Sequence, residues 1–148
     1  MIRDQEAIRC LFIPTRLGEL LVPGAAIAEI VRTAPLAPAG PDTPPWLIGA
    51  LDWRGERIPV ARLADSTNST ATRHHIVICF MPGADPRLPY AGIEFAGLPQ
   101  LEPITAKTLD PEIEDRDTAP RFAAVPFKHN GKPAWFLDMD ALEHALLG

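Results

Sequence analysis

The apolar positions fall in short runs separated by glycine, proline and small polar residues, and most of these runs read as strands. Residues 8–13 (Ile-Arg-Cys-Leu-Phe-Ile) open the series. A turn at Arg16-Leu17-Gly18-Glu19 follows, and Leu20-Leu21-Val22 returns, which predicts a hairpin. Pro23-Gly24 interrupts it, and residues 25–31 fit a helical turn feeding an Ile-Val strand. Residues 35–45, with five prolines and one glycine, predict a loop. Two further apolar runs, 46–53 and 58–63, flank Arg54-Gly55-Glu56-Arg57 and predict a second hairpin. Ser66 to Thr72 is a small polar stretch and the best boundary between two halves. The second half restarts with a strand at 75–80, a turn-rich loop at 82–89 and an alternating strand at 90–95. Residues 98–118 read as irregular, with an acidic stretch at Asp110, Glu112, Glu114, Asp115 and Asp117. A strand at 122–127 then turns at Asn130-Gly131, a pair suited to a type I′ turn, and 134–137 pairs back. The chain ends in a short helix. Asp140 with Glu143 predicts a capping-box-like start, and Leu142, Leu146 and Leu147 fall on one face.

The halves echo each other faintly. At an offset of 71, Arg16-Leu17 matches Arg87-Leu88, Ile27 matches Leu98 and Ile30 matches Leu101, while Arg54-Gly55 and Asn130-Gly131 each close a hairpin. The pattern predicts two small, intimately packed β barrels, which need few residues and remove sheet edges by closure. Composition agrees. With 17 prolines in 148 residues, a mainly helical bundle is excluded. The length suits one domain with a substantial core. A net charge of −5, with basic residues spread singly, argues against nucleic acid as a partner. No apolar run reaches the ~18–20 residues of a membrane span, and the first residues show no signal-peptide pattern. The expectation is a soluble, cytoplasmic chain without direct membrane insertion.

Candidate chemistry is sparse. Cys10 and Cys79 sit inside apolar runs and read as buried thiols. No Cys/His spacing suggests a metal, and no Gly-x-Ser-x-Gly, Gly-x-Gly-x-x-Gly or Walker loop is present. His74 and His75 are neighbours in a strand and point to opposite faces. His129, beside the Asn-Gly turn, reads as solvated. His144 lies near the helix C-terminus, where a cation suits the dipole. Asp138 and Asp140 read as strand-end and helix-cap residues. No catalytic, cofactor-binding or metal-binding residues are therefore expected. The segment 46–63 stands apart: Trp46 and Trp53 bracket an apolar run, Arg54 sits at a hairpin tip, and Glu29 and Arg32 flank Ile30-Val31. Trp and Arg are the residues most enriched in binding hot spots.

The run Trp46-Leu-Ile-Gly-Ala-Leu-Asp-Trp-Arg-Gly-Glu-Arg-Ile-Pro-Val-Ala-Arg-Leu63 resembles the hallmark segment of CheW-like domains, in which an aliphatic-Gly-aliphatic run leads to Asn-x-Arg-Gly and then Pro-Val-aliphatic-Asp-Leu. The opening hairpin, Ile27-Ala-Glu29-Ile30, the run 76–95 and the ending at 134–146 fit the same family in order. The resemblance implies a mainly β fold of two intertwined five-stranded, SH3-like barrel subdomains with a short C-terminal helix. It divides the chain near 1–66 plus 141–148 for one subdomain and 73–140 for the other. It also implies a non-catalytic adaptor without cofactors. Such adaptors couple the cytoplasmic tip of methyl-accepting chemoreceptors to the regulatory domain of a CheA-type histidine kinase, in membrane-associated arrays that control flagella or type IV pili. Ile27, Glu29, Gly49, Asp52, Trp53, Arg54 and Gly55 fall on the family's interaction segments. Asp52, Trp53 and Arg62 depart from the family pattern, as does Glu94-Phe95-Ala96-Gly97, and these departures favour a variant of ChpC or PilI type. Taken without the resemblance, the residues also fit a regulatory β module that binds a small ligand or peptide outside chemotaxis, or a small hydrolase.

Overall fold

A computed structural model describes residues 7–32, 35–63, 74–83, 85–96, 99–105, 110–111 and 119–148. The elements in chain order are β1 (Ile8–Pro14), β2 (Glu19–Pro23), a 3-10 turn (Gly24–Ala26), β3 (Ile27–Arg32), β4 (Ala37–Pro38), β5 (Leu47–Trp53) and β6 (Glu56–Ala61). They continue with β7 (His74–Phe80), β8 (Tyr90–Ala96), β9 (Gln100–Ile104), β10 (Asp110–Pro111), β11 (Ala123–His129), β12 (Lys132–Leu137) and α1 (Met139–Leu147). The expected hairpins, the 3-10 turn before the Ile-Val strand and the terminal helix are all present. Two loop readings are corrected: residues 35–45 contain the two-residue β4, and the region read as irregular after residue 98 contains the two-residue β10 and also β9, whose Gln-Leu-Glu-Pro-Ile sequence hides the strand behind a proline. The candidate boundary at 66–72 and the acidic residues 112–117 lie outside the described residues.

The strands form two sheets, ordered β10-β11-β12-β2-β1-β9 and β3-β7-β8-β6-β5-β4. Read from the opposite end, the first becomes the second when every strand is replaced by the one six places along the chain. The sense of each pairing repeats as well. The seams β2–β12 and β6–β8 are parallel, and all other neighbours are antiparallel. Strands β1 and β2 thus sit with the last four strands of the second half, and β7 and β8 with the last four of the first. The two halves have exchanged strands, so the sheets do not follow a cut at the middle of the chain. Each sheet has five longer strands and one two-residue edge strand.

The faint sequence echo maps onto this repeat. Arg16-Leu17 and Arg87-Leu88 lie in the connections β1–β2 and β7–β8, and Ile30 and Leu101 lie on the equivalent strands β3 and β9. The two hairpin tips correspond too. Arg54 (φ 48°) and Gly55 (φ 79°), like Asn130 (φ 53°) and Gly131 (φ 78°), have positive φ at both central positions, as a type I′ turn demands.

The sheet arrangement explains the apolar runs. Leu11 and Ile13 of β1, Leu20 and Val22 of β2, Val77 and Cys79 of β7, and Ala91 and Ile93 of β8 share a central core with Leu142 of α1. The intervening residues face the other way. Cys10, Phe12 and Leu21 join Ile104 and Phe127 in a core inside the first sheet. Ile76 and Ile78 join Leu51, Ile58 and Val60 inside the second. Ala28 and Val31 of the edge strand β3 and Ile48 of β5 pack against that same second core, so the sheet curls around it. Burial on both faces pushes the Cys79 thiol up to about 12. The two thiols are free and buried, as expected.

The helix start differs from expectation. Asp138, not Asp140, is the N-cap, and its Oδ1 accepts the Ala141 N–H at 2.9 Å. Glu143 is used elsewhere, as described below.

The parallel seam β6–β8 pairs Val60 with Gly92 and Ala61 with Ile93. One residue further along the same register, the Arg62 guanidinium donates twice to Glu94 Oε1, at 2.8 and 2.6 Å. Glu94 is 7% exposed. This ion pair extends a two-residue ladder, so Arg62→Ala should cost about 1–2 kcal/mol, a fall in Tm of roughly 3–8 °C. A double-mutant cycle with Glu94→Gln should show coupling. Additivity of the two losses would remove the seam role.

Candidate functional site

The expected interaction residues separate into two groups. Glu29, Trp53 and Arg54 converge at one corner of the second sheet. Arg54 leaves the β5–β6 tip, and its Nη2 donates to Glu29 Oε1 on the edge strand β3 at 2.9 Å. The guanidinium also lies over the Trp53 ring, 4.7 Å from its centroid. The pair is open to solvent, with Arg54 71% and Glu29 36% exposed. Gly55 completes the turn that presents Arg54.

The remaining three lie apart from the corner. Asp52 is exposed and accepts from Arg57 Nε at 3.3 Å across the same hairpin. Ile27 packs against the central core. Gly49 is structural: it pairs with Pro38 of β4, and a Cβ there would collide with the Ala37 carbonyl oxygen.

Residue-by-residue reading missed two aromatic members of the corner. Tyr90, at the start of β8, meets Trp53 edge-on with centroids 5.1 Å apart, and Phe80, at the end of β7, lies 5.5 Å from Tyr90. Phe80 pairs with Tyr90 across the β7–β8 ladder and is 46% exposed. The available signal was an aromatic residue at each end of the loop 81–89. The result is an apolar strip, Phe80–Tyr90–Trp53, capped by a guanidinium already paired to a carboxylate.

The loop beside the strip is held by Asp85. Its carboxylate accepts from the side chain and the backbone N–H of Arg87, which hold it down at about 2. A lowered carboxylate contributes stability that is present above the ordinary range and lost as pH falls through about 2.

The equivalent corner of the first sheet carries a different pair. His129, expected to be solvated, is only 12% exposed in its side chain. Its ring lies against Phe12 with centroids 4.2 Å apart. Its Nδ1 is 3.3 Å from Glu19 Oε1 and its Nε2 3.7 Å from Glu102 Oε2. Glu102 lies on β9, the strand equivalent to β3, two residues beyond the position that matches Glu29. His75 stacks on Phe95 at 5.4 Å, and its Nδ1 is buried without a hydrogen-bond partner among the described residues. His144 is exposed in the last turn of α1. Among the described residues no group of three His, Cys, Asp or Glu side chains could hold a metal. No helix there is long and apolar enough to cross a membrane.

Two strand-exchanged copies of one six-strand unit, with a tip arginine latched to an edge-strand glutamate and a helix closing the chain, define a paired-barrel β protein. The CheW-like domain profile matches residues 10–146, and the chain belongs to that family. Among solved structures it is similar to scaffolding protein TtCheW from Thermoanaerobacter tengcongensis, with a TM-score of 0.69 at 17% identity over 89% of each chain. A search of curated proteins finds no match.

Two substitutions separate scaffold from surface. Gly49→Ala should destabilise the fold by about 2 kcal/mol, because the β4 carbonyl must move. Trp53 is half-buried, so Trp53→Ala should cost about 2 kcal/mol of stability and, on the adaptor reading proposed below, also weaken partner binding. Thermal midpoints against pull-down yields check both; equal midpoints for all three proteins would contradict the packing described.

In acid, Asp85→Asn should flatten the fall in stability between pH 4 and 2, read by urea titration at each pH. An unchanged profile would show that the Arg87 contact does not persist in solution.

Proposed function

We propose that this chain is a non-catalytic cytoplasmic adaptor of a chemosensory array, coupling methyl-accepting chemoreceptor tips to the regulatory domain of a CheA-type histidine kinase. Family membership supports the class. The observation that carries the reading is the Arg54–Glu29–Trp53 corner. An adaptor needs exposed, preorganised anchors rather than reactive groups, and here an arginine is held in place by a carboxylate and an aromatic face. Its planar fork can accept a further carboxylate from a receptor helix, which lysine would not reproduce. The strip Phe80–Tyr90–Trp53 supplies apolar area beside it.

Within this reading separate partner faces are offered by the two sheets, each built from strands of both sequence halves, near 1–66 plus 141–148 and near 73–140. Trp53, half-buried at the anchor, is the departure from the family pattern that a partner would meet, and it favours a specialised array, such as one controlling type IV pili and twitching motility.

Arg54→Glu places a carboxylate against Glu29 at an exposed tip, so the fold should survive. Affinity for the receptor fragment or the kinase regulatory domain should fall at least tenfold, equivalent to about 1.4 kcal/mol or more. Isothermal titration with both partners is the measurement. Unchanged affinity for both, with native circular dichroism, would reject the corner as the docking anchor.

A further inference from the structure

Among the described residues Glu143 is the one charged residue buried as a whole, at 8% exposure, and unlike the Glu94 carboxylate it has no ion pair with any of them. It lies on the inward face of α1 next to Leu142, where a leucine would pack well. Burial of an ionised carboxylate is costly unless hydrogen bonds compensate, and replacing such groups with apolar residues is often neutral or favourable. Its role therefore lies in what it touches. The Gly83 N–H donates to Glu143 Oε1 at 3.0 Å and Oε2 at 3.1 Å, from the middle of the loop between β7 and β8. A Cβ there would lie 2.6 Å from Oε1, so any larger residue would push the Glu143 carboxylate aside.

That loop runs from Phe80 to Tyr90; the Tyr90 ring meets Trp53, and the Phe80 ring meets Tyr90. Its base is closed by the Met81 N–H donating to the Pro89 carbonyl at 3.0 Å, and Met81 and Leu88 reach into the central core. Its later residues, Pro86 to Tyr90, share a small cavity of about 50 Å³ with Glu56, Arg57 and Ile58 of the hairpin that carries Arg54. The connection from Glu143 runs through Gly83, back along the chain to Met81, across the Met81–Pro89 hydrogen bond to Tyr90, and so to Trp53 and Arg54.

We propose that Glu143 is a positioning residue for the partner-binding corner, through which the seating of α1 sets the loop 81–89 and with it the Phe80–Tyr90–Trp53 strip. The proposal rests on the adaptor reading for its binding readout but not for its structural one. Glu143 touches no partner; it acts through Gly83.

The test uses the full chain with Glu143→Leu and Glu143→Gln. Leu keeps the packing and removes the acceptor, whereas Gln keeps an acceptor oxygen. In Glu143→Leu, Tm should stay within a few degrees of the parent. Exchange of the Gly83 amide should rise about tenfold, and the Trp53 indole resonance should shift. Affinity for the kinase regulatory domain and receptor fragment should fall about five- to tenfold. Glu143→Gln should restore exchange, resonance and affinity. If Glu143→Leu does not fold, Gly83→Ala, which drives the same groups apart from the loop side, takes its place with the same readouts. Faster Gly83 exchange with an unmoved Trp53 resonance and parental affinity would overturn the proposal, as would unchanged exchange. Arg54→Glu is measured alongside. If it leaves affinity unchanged, the adaptor site has failed, and the Trp53 resonance alone decides the positioning role.

Discussion

The fold depends on four strands that have no solvent face. β1, β2, β7 and β8 alternate between the central core and the core inside their own sheet. Each therefore needs apolar residues at nearly every position, and each needs covering on both sides. A single flat sheet cannot provide that. Rolling each sheet supplies one cover, and setting the two sheets together supplies the other. The strand exchange makes the arrangement hard to pull apart, because β3–β6 belong to one sheet while the strands preceding them belong to the other.

Rolling a sheet brings its two edges together, and the charged latches occur where that happens. In the second sheet the edge strand β3 is tied to the β5–β6 tip by Glu29 and Arg54. In the first, the edge strand β9 meets the end of β11 through Glu102 and His129, with Glu19 as a second carboxylate. The repeat thus poses the same geometric problem twice, met with different polar side chains. Arginine projects outward on an aromatic strip. Histidine lies tilted against Phe12, mostly covered. One corner is available as a surface anchor, while the other is largely taken up with holding its own sheet together.

Much of this was legible in the order of residues, and for definite reasons. Short apolar runs punctuated by Gly and Pro report strands directly, and Arg54-Gly55 and Asn130-Gly131 report tight hairpins because few residues tolerate positive φ in succession. The pairing of β1 with β9, or of β6 with β8, was not legible, since the partners are distant in sequence and local pattern says nothing about exchange. β9 was overlooked because Pro103 and the charged Glu102 break its pattern, and an edge strand can carry both. His129 was misread because a turn-flanking position is usually wet; only the rolled sheet brings Phe12 and two carboxylates over it. At the site, the hallmark segment pointed to Trp53 and Arg54, but Tyr90 and Phe80 come from across the halves. Gly49 and Asp52 share the hallmark segment without sharing the corner.

The departures from the family pattern are not equivalent, and the geometry sorts them. Arg62 and Glu94 are two departures that satisfy one another: the guanidinium and the nearly buried carboxylate meet across the β6–β8 seam. They make an internal replacement, which a partner need never sense. Asp52 is likewise satisfied locally by Arg57. Trp53 differs in kind. It enlarges the apolar surface under an exposed arginine and contacts Tyr90 from the other half. A change that adds area to an anchor alters what can dock there, whereas a change neutralised within the fold does not. On the proposed adaptor reading, specificity is therefore best sought in Trp53 and the rings beside it, and not in the residues that look most foreign to the family.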